Sequence, residues 1–424
     1  MASSEGVLVA GAPEDPPRPR RTRRRLPRRR LLLVLAVLVL LVLVLFAGGS
    51  WYYSGQIGSE ALAADHRVDP ARYDLVVDAV DGESVVLRRT GEVPADDPLD
   101  SGDTYGLVWP GGAGVLSGQP VREIGGAVHR DLRTTTGSRP GHGTPARLEV
   151  NVWTDPKAAY GVDYQDVTFP CAGGQCPAWY VPGRPSTWWI AVHGKGATRA
   201  EPLRAMQVAV DDRISVLDIG YRNDPDAPAD PSGRYGYGAT EWRDLDAAVT
   251  FAVDHGAQEV VLFGSSMGGA IVASFLEHSA QARLVTGVVL DSPALDLKAT
   301  VEYGASRRRL PVIGTGLPDV LTHTAEWLAT ERYDLDWDAV DYLPGDWVRM
   351  PVLLFHGTDD DTVPIATSDE LYEAHPNLVR EVRVRDAGHV QSWNVDPAGY
   401  HEALNDFLSC IVSSNPSLSC LESP

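Results

Sequence analysis

The sequence predicts an α/β chain. A mostly parallel sheet with helices on both faces and a helical cap is preceded by an N-terminal transmembrane helix and a small β-rich module. Three observations carry this. Between Tyr164 and Val412, short apolar β-branched runs alternate with amphipathic helical patterns, as a parallel sheet with right-handed crossovers requires. One of those runs, Val260–Phe263, breaks off into Gly264-Ser265-Ser266-Met267-Gly268 and passes directly into a helical pattern. Far upstream, Leu31–Ala47 is seventeen apolar residues without a charge.

The chain begins with charge. Nine arginines against Glu5, Glu14 and Asp15 give residues 1–30 a net +6; the total is −20, so the rest carries −26. A body that acidic argues against nucleic acid as a partner. The basic run Arg18–Arg30 belongs instead with the apolar stretch behind it. Arginines on one flank and Trp51-Tyr52-Tyr53 on the other are the two interface anchors of a membrane span. The expected order is therefore a cytoplasmic basic tail at 1–30, a transmembrane helix at 31–50 and a linker at 51–72. By the positive-inside rule the remainder lies outside the cytoplasm, tethered by its N-terminal anchor. A cleaved signal peptide is the competing reading. It requires a shorter apolar region and a nearer cleavage site than Ala61-Leu62-Ala63.

From Tyr73 to about Pro156 the pattern is one of short strands: Leu75–Val80, Ser84–Arg89 and Tyr105–Trp109, with weaker signals at Val115–Leu116 and Val128–Leu132. Turns at Asp81-Gly82 and Pro110-Gly111-Gly112 punctuate them. Nothing in this module, 73–156, suggests catalysis, and His129 and His142 read as surface histidines.

The rhythm then changes, and 157–424 reads as one domain. Asp166–Phe169 and Ala178–Pro182 flank Cys171 and Cys176. Trp188–Val192 is a buried strand ending at His193-Gly194-Lys195-Gly196, and Glu201–Asp211 has a helical pattern. Ile214–Ile219 leads into a loop where Asp224, Asp226 and Asp230 invite a calcium reading. Its prolines and the lack of a closing Glu at loop spacing predict a solvated loop instead. Thr240–His255 and Gly269–His278 are helical, and Val285–Leu290 is a strand. Residues 296–347 interrupt the alternation as an inserted cap. Pro351–Phe355 resumes it, followed by a helix at Ser368–His375, a strand at Glu381–Arg385 and a closing helix at Ala398–Val412. Four cysteines in an exported chain suggest two disulfides, with Cys171/Cys176 and Cys410/Cys420 the local pairings. No histidine sits near either pair at metal-ligand spacing, so no metal site is expected.

Gly264–Gly268 fits G-x-S-x-G, a strained strand-to-helix turn that lifts a serine hydroxyl above the sheet edge. An activated serine needs a base, and the base an orienting carboxylate. Both belong on loops at the carboxyl ends of strands. His389 follows the Glu381–Arg385 strand in Asp386-Ala387-Gly388-His389; Asp359, Asp360 and Asp361 follow Pro351–Phe355. The chain order is Ser266, an Asp, then His389.

At these residues the sequence resembles the α/β-hydrolase fold family. The matching pieces are His193–Gly196, Gly264–Gly268, His356-Gly357-Thr358-Asp359-Asp360-Asp361-Thr362-Val363-Pro364 and Gly388-His389. The resemblance is nearest to the serine hydrolases related to lysophospholipases, acyl-transfer enzymes and prolyl-oligopeptidase-type peptidases. It implies that Asp360 is the triad acid and that Asp359 and Asp361 are turn residues. It further implies that the N–H groups of Met267 and Lys195 form the oxyanion hole, and that His193 and His356 brace loops. The activity implied is cleavage of carboxylic esters, small-molecule or lipid-like, through an acyl-enzyme with no cofactor. A peptidase or acyltransferase on the same fold is the alternative, and a non-catalytic anchored interaction scaffold is the rival from another class. Substrate selection falls to the cap, where Trp327, Tyr333 and Trp337 are the candidate pocket residues. Arg307-Arg308-Arg309 reads as a solvated helix face.

Overall fold

A computed structural model describes residues 28–64, 73–92, 97–123, 125–308 and 316–412. By compactness the chain divides into two units, Met1–Gly49 and Ser50–Pro424. The first holds most of helix α1 (Arg28–Gln56), whose apolar stretch has a mean hydropathy of 3.4, long and apolar enough to cross a membrane.

Among the described residues, the second unit has two sheets. Strands β1 (Leu75–Asp81), β2 (Ser84–Arg89), β3 (Tyr105–Trp109), β4 (Gly112–Arg122), β5 (Val128–Gly137) and β6 (Pro145–Glu149) close into an antiparallel barrel in the order β1-β2-β5-β4-β3-β6. Alternation explains the closure: Leu75, Val77, Val85, Leu87, Leu107, Leu116 and Leu132 all turn into one small core. Closure also removes the unpaired edges an open sheet of this size would expose. The weak signals at Val115 and Val128 lie in the first half of β4 and at the start of β5. Strand β6 gave no sequence signal, because its five residues hold one large apolar side chain, Leu148, and none of the β-branched or aromatic residues that mark a strand.

After the short helix α2 (Pro156–Tyr160), capped by Asp155, the α/β layers begin. Their strands are β7 (Gln165–Cys171), β8 (Gly174–Val181), β9 (Arg184–Val192), β10 (Ile214–Ile219), β11 (Glu259–Ser265), β12 (Val285–Asp291), β13 (Val352–Gly357) and β14 (Val379–Val384). The order across the sheet is β14-β13-β12-β11-β9-β10-β8-β7. Only β8 runs against the others, pairing antiparallel with β7 and β10. A disulfide joins Cys171 to Cys176 across the β7–β8 hairpin. Cys410 is also engaged, and its expected partner Cys420 lies outside the described residues.

Helices α3 (Gln207–Asp211), α4 (Trp242–Asp254), α5 (Met267–His278), α6 (Leu297–Arg307), α7 (Asp319–Tyr333), α8 (Ile365–Ala374), α9 (Ser392–Val395) and α10 (Pro397–Ile411) complete the unit. The sheet is buried on both faces: Trp188, Ile190, Leu262 and Val288 face one core, and Trp189, Val216, Phe263 and Phe355 the other. That two-sided burial is why the strands read as continuous apolar runs. The helix expected over Glu201–Asp211 is shorter than the pattern suggested. Pro202 opens a single 3-10 turn, and α-helix forms only from Gln207.

The expected linker after the membrane helix is a correction. Helix α1 runs on to Gln56 and continues as a π-helical turn, Ile57–Leu62. Ile57 is 7% exposed and Leu62 2%, both packed in the core under the cap. Ala63 bridges to Arg234, Tyr235 donates its N–H to Leu62, and Tyr237 Oη donates to the Ala61 carbonyl. Two apolar residues in an otherwise small and polar stretch gave too little period to mark it as docked structure. Residues 65–72 lie outside the described set.

Candidate active site

Ser266 sits between β11 and α5 at φ 50°, ψ −121°, a left-handed conformation that strains a residue with a Cβ. The surrounding close approach explains the two glycines of the turn. A Cβ on Gly264 would stand 2.6 Å from the Gly268 carbonyl oxygen, and one on Gly268 would stand 2.2 Å from that of Val192. The backbone of the turn is held by Ser266 N–H donating to Asp291 O and Ala294 N–H donating to Ser266 O.

His389 follows β14. Its Nε2 lies 2.8 Å from Ser266 Oγ, and its Nδ1 lies 2.7 Å from Asp360 Oδ2. Asp360 is in the turn after β13, with its side chain fully buried. Its Oδ1 accepts from the Thr362 and Val363 N–H groups, and His356 Nε2 lies 3.3 Å from Oδ2. Burial pushes the Asp360 carboxyl up, but the His356 and His389 hydrogen bonds and the backbone donors outweigh it and hold the group well below the usual carboxylate range. For His389, burial disfavours the imidazolium. The Asp360 hydrogen bond and charge, with Glu201 and Asp291 behind, overcome that and raise its pKa above the ordinary value.

The first N–H of α5 belongs to Met267, at the positive end of the helix dipole beside Ser266. Lys195 lines the same cavity as Ser266 and His389. The turn bearing it is braced from below. His193 is fully buried, with Nε2 2.9 Å from Asp224 Oδ2 and Nδ1 2.9 Å from the Gly194 carbonyl. Burial would lower its pKa, but Asp224 reverses that and lifts it to about 9. Asp224 is thus a buried ion-pair partner, which corrects the expectation of a solvated loop. Arg222 is buried beside it on Asp244. His356 is likewise buried, with Nδ1 2.7 Å from Ser368 Oγ.

Several groups around the site had no sequence signal. Glu201 Oε1 accepts from Gly194 N–H at 2.8 Å and from Ser265 Oγ at 2.6 Å, tying the Lys195 turn to the serine turn. Tyr303 on α6 donates to the Asp360 carbonyl. Asp291, at the end of β12, accepts from Tyr400 Oη and Ser392 Oγ, and burial raises its pKa to about 6. A long-range reach with no local spacing, as in Glu201, leaves nothing in the sequence to find.

A cavity of about 420 Å³ opens over Ser266 and His389, of the size that holds a drug-sized ligand. Leu297, Val301 and Ala305 of α6 and Ala325 of α7 line it, as do Tyr53, Gln56, Ile57 and Ala61. The three expected pocket aromatics lie elsewhere. Trp327 is 61% exposed. Tyr333 packs on the Ile57–Leu62 turn, where a Cβ on Gly58 would stand 2.3 Å from its ring. Trp337 donates from Nε1 to Thr330 and lines a separate shallow cleft with Lys298 and Leu335. Aromatic content marked the cap as apolar but could not say which of its faces turns toward Ser266.

Comparison with known proteins gives consistent likenesses. Residues 239–342 match the family described as "Serine aminopeptidase, S33". An uncharacterised Salmonella typhi protein, YfhR, is 22% identical over 286 residues, 63% of this chain and 90% of that one. The structure of a Pyrococcus furiosus esterase, Pf2001, superposes with a TM-score of 0.47 at 20% identity, covering 62% of this chain and 96% of its own. A Rhodococcus esterase, RhEst1, superposes with a TM-score of 0.40 at 18% identity, covering 58% and 99%.

Proposed function

We propose that this chain, which has the α/β-hydrolase fold, is a membrane-anchored serine hydrolase that cleaves carboxylic esters on the extracytoplasmic side. The observation that carries the reading is the continuous line Asp360–His389–Ser266, with contacts of 2.7 and 2.8 Å, ending at a strained serine that faces a cavity.

The chemistry follows from that line. His389 takes the Ser266 proton at Nε2 as Oγ bonds to the ester carbonyl carbon. The N–H groups of Met267 and Lys195 stabilise the resulting oxyanion, an effect worth ~3 kcal/mol per donor. His389 then returns the proton to the leaving alkoxide as its bond to carbon breaks. Water, deprotonated by the same imidazole, attacks the acyl-enzyme, and the acid leaves as the proton returns to Ser266. Asp360 holds Nδ1 protonated throughout, so that Nε2 presents its lone pair to the serine.

The largely apolar cap wall favours an acyl group over a peptide. Amide cleavage is the second reading, favoured by the family description matched at 239–342. A fluorophosphonate probe tests the shared chemistry: it labels the wild type, and Ser266→Ala abolishes labelling and ester turnover in a folded protein. Turnover of acyl esters against proline-containing peptide amides then separates the two readings.

A further inference from the structure

We infer that the segment joining the membrane helix to the catalytic unit is a wall of the acyl-binding site, and that the substrate is an ester lipid drawn from the bilayer that holds the helix. The inference rests on the proposed serine chemistry and names its substrate class.

The first support is the lining. Tyr53, Gln56, Ile57 and Ala61 line the cavity that contains Ser266 and His389, together with Val301 and Ala305. The segment is fixed there by many independent contacts. Tyr237 and Tyr235 bond its carbonyls, and Gly58 lets it lie against the Tyr333 ring. Arg332 stacks on Trp51 and donates to the Trp51 carbonyl and to Ser54 Oγ, while Arg308 pairs with Glu60. A segment serving only as a tether gains nothing from such docking.

The second support is chain distance. Tyr53 is the sixth residue after Ala47, the last of the apolar run, and the intervening residues are helical. Even fully extended, six residues reach only about 20 Å. The covalent chain therefore keeps the cavity wall close to the apolar run. A water-soluble substrate needs no such proximity; an acyl chain leaving a bilayer does.

The third support is the exposed apolar surface of the elements that clasp the segment. Val320 and Trp327 are exposed on α7, seven residues apart and so on one helical face. Trp51 and Tyr52 are exposed on the segment itself. Aromatic side chains of this kind are enriched where protein meets the headgroup region.

The test uses the full chain reconstituted into phosphatidylcholine vesicles. Methylumbelliferyl palmitate is supplied within those vesicles or in a separate vesicle population, and methylumbelliferyl acetate is supplied in solution. The expected result is turnover of palmitate in the chain's own vesicles at least about tenfold faster than in the separate ones. Ala61→Trp, which fills the wall, should lower the palmitate-to-acetate ratio by about tenfold or more while fluorophosphonate labelling persists. Gln56→Trp serves where Ala61→Trp fails to label. An unchanged ratio in a variant that labels would overturn the inference, as would equal turnover of palmitate in both vesicle populations. A wild-type chain that neither labels nor cleaves either ester would instead overturn the serine chemistry, and the inference with it.

Discussion

Asp360→Asn is the sharpest probe of the proposed triad, because the structure dictates how the amide must sit. Oδ1 of Asp360 accepts two backbone N–H groups, from Thr362 and Val363. The asparagine oxygen has to take that place, since an NH₂ there would face two donors. The amide nitrogen then points at His389 Nδ1, where the carboxylate oxygen now lies 2.7 Å away. With a donor opposite it, Nδ1 can only accept, so the imidazole proton moves to Nε2 and faces Ser266. The base is lost although every side chain keeps its position. A tautomer error of this kind costs about 10⁴ in rate, or roughly 5.5 kcal/mol of barrier. The assay is kcat/KM on a short soluble ester, beside a thermal melt to establish folding. Asp359 and Asp361 are exposed turn residues, each bonded to a neighbouring threonine hydroxyl. Their asparagine variants should stay within about tenfold of wild type. A folded Asp360→Asn that retains wild-type turnover, or an Asp359→Asn or Asp361→Asn that loses as much, would refute the assignment.

Other expectations follow from the same geometry. Activity should rise with pH through a His389 pKa above its ordinary value, since only the neutral imidazole accepts the serine proton. Asp291→Asn removes one of the charges holding that pKa up, so a kcat/KM profile should show the acid limb move to lower pH; a limb that does not move would exclude the coupling. His193, buried on Asp224, has a raised folded pKa, so its stability contribution is full below about pH 6.5 and fades as pH rises through about 9. The melting temperature should fall across that window in wild type, and a His193→Phe variant should lack that component. Protease added to intact cells should reach the catalytic unit if it lies outside the cytoplasm, and protection would reverse the proposed topology. Non-reducing peptide mapping should find Cys410 linked to Cys420, and a link from Cys410 to Cys171 or Cys176 would contradict the pairing.

What the sequence revealed, and what it hid, divides along physical lines. The sheet was legible because its strands are buried on both faces and so read as apolar runs, and because each crossover helix keeps one apolar stripe. Ser266, the run Asp359–Asp361 and His389 stood out because each comes just after a strand, so local spacing places them on one edge of the sheet; spacing did not choose among the three aspartates, and Asp360 came only from the family resemblance. Contacts made between distant segments left no such trace. Glu201 reaches Gly194 and Ser265 from a turn that the helical pattern of Glu201–Asp211 obscured. The Ile57–Leu62 turn docks through backbone carbonyls and a glycine, groups whose partners no periodicity encodes. The cap failed differently. Trp327, Tyr333 and Trp337 lie in the 296–347 insertion, but one faces outward, one packs on the Ile57–Leu62 turn and one lines a separate cleft.

The barrel acquires a structural role once the bonds around His389 are followed outward. Asn394, on α9 five residues beyond His389, sends its amide N–H groups to the carbonyls of Thr104, ahead of β3, and Val150, just after β6. Thr104 returns its own N–H to the Asn394 carbonyl. The Asn394 side-chain oxygen accepts from Arg204, which also donates to the Val390 carbonyl next to His389. Arg204 belongs to the same 3-10 turn that Glu201 precedes, and Glu201 ties the Lys195 turn to the serine turn. One short stretch, Glu201–Arg204, therefore connects the His389 loop, the Ser266 turn and the Lys195 turn. The barrel closes the circuit from the far side. Every polar group named in it is buried or half-buried, so each broken bond would strand a donor or acceptor at about 1–3 kcal/mol. Held this way, His389 and Ser266 have their 2.8 Å contact fixed by the fold, which is the preorganisation that the proposed acyl transfer needs.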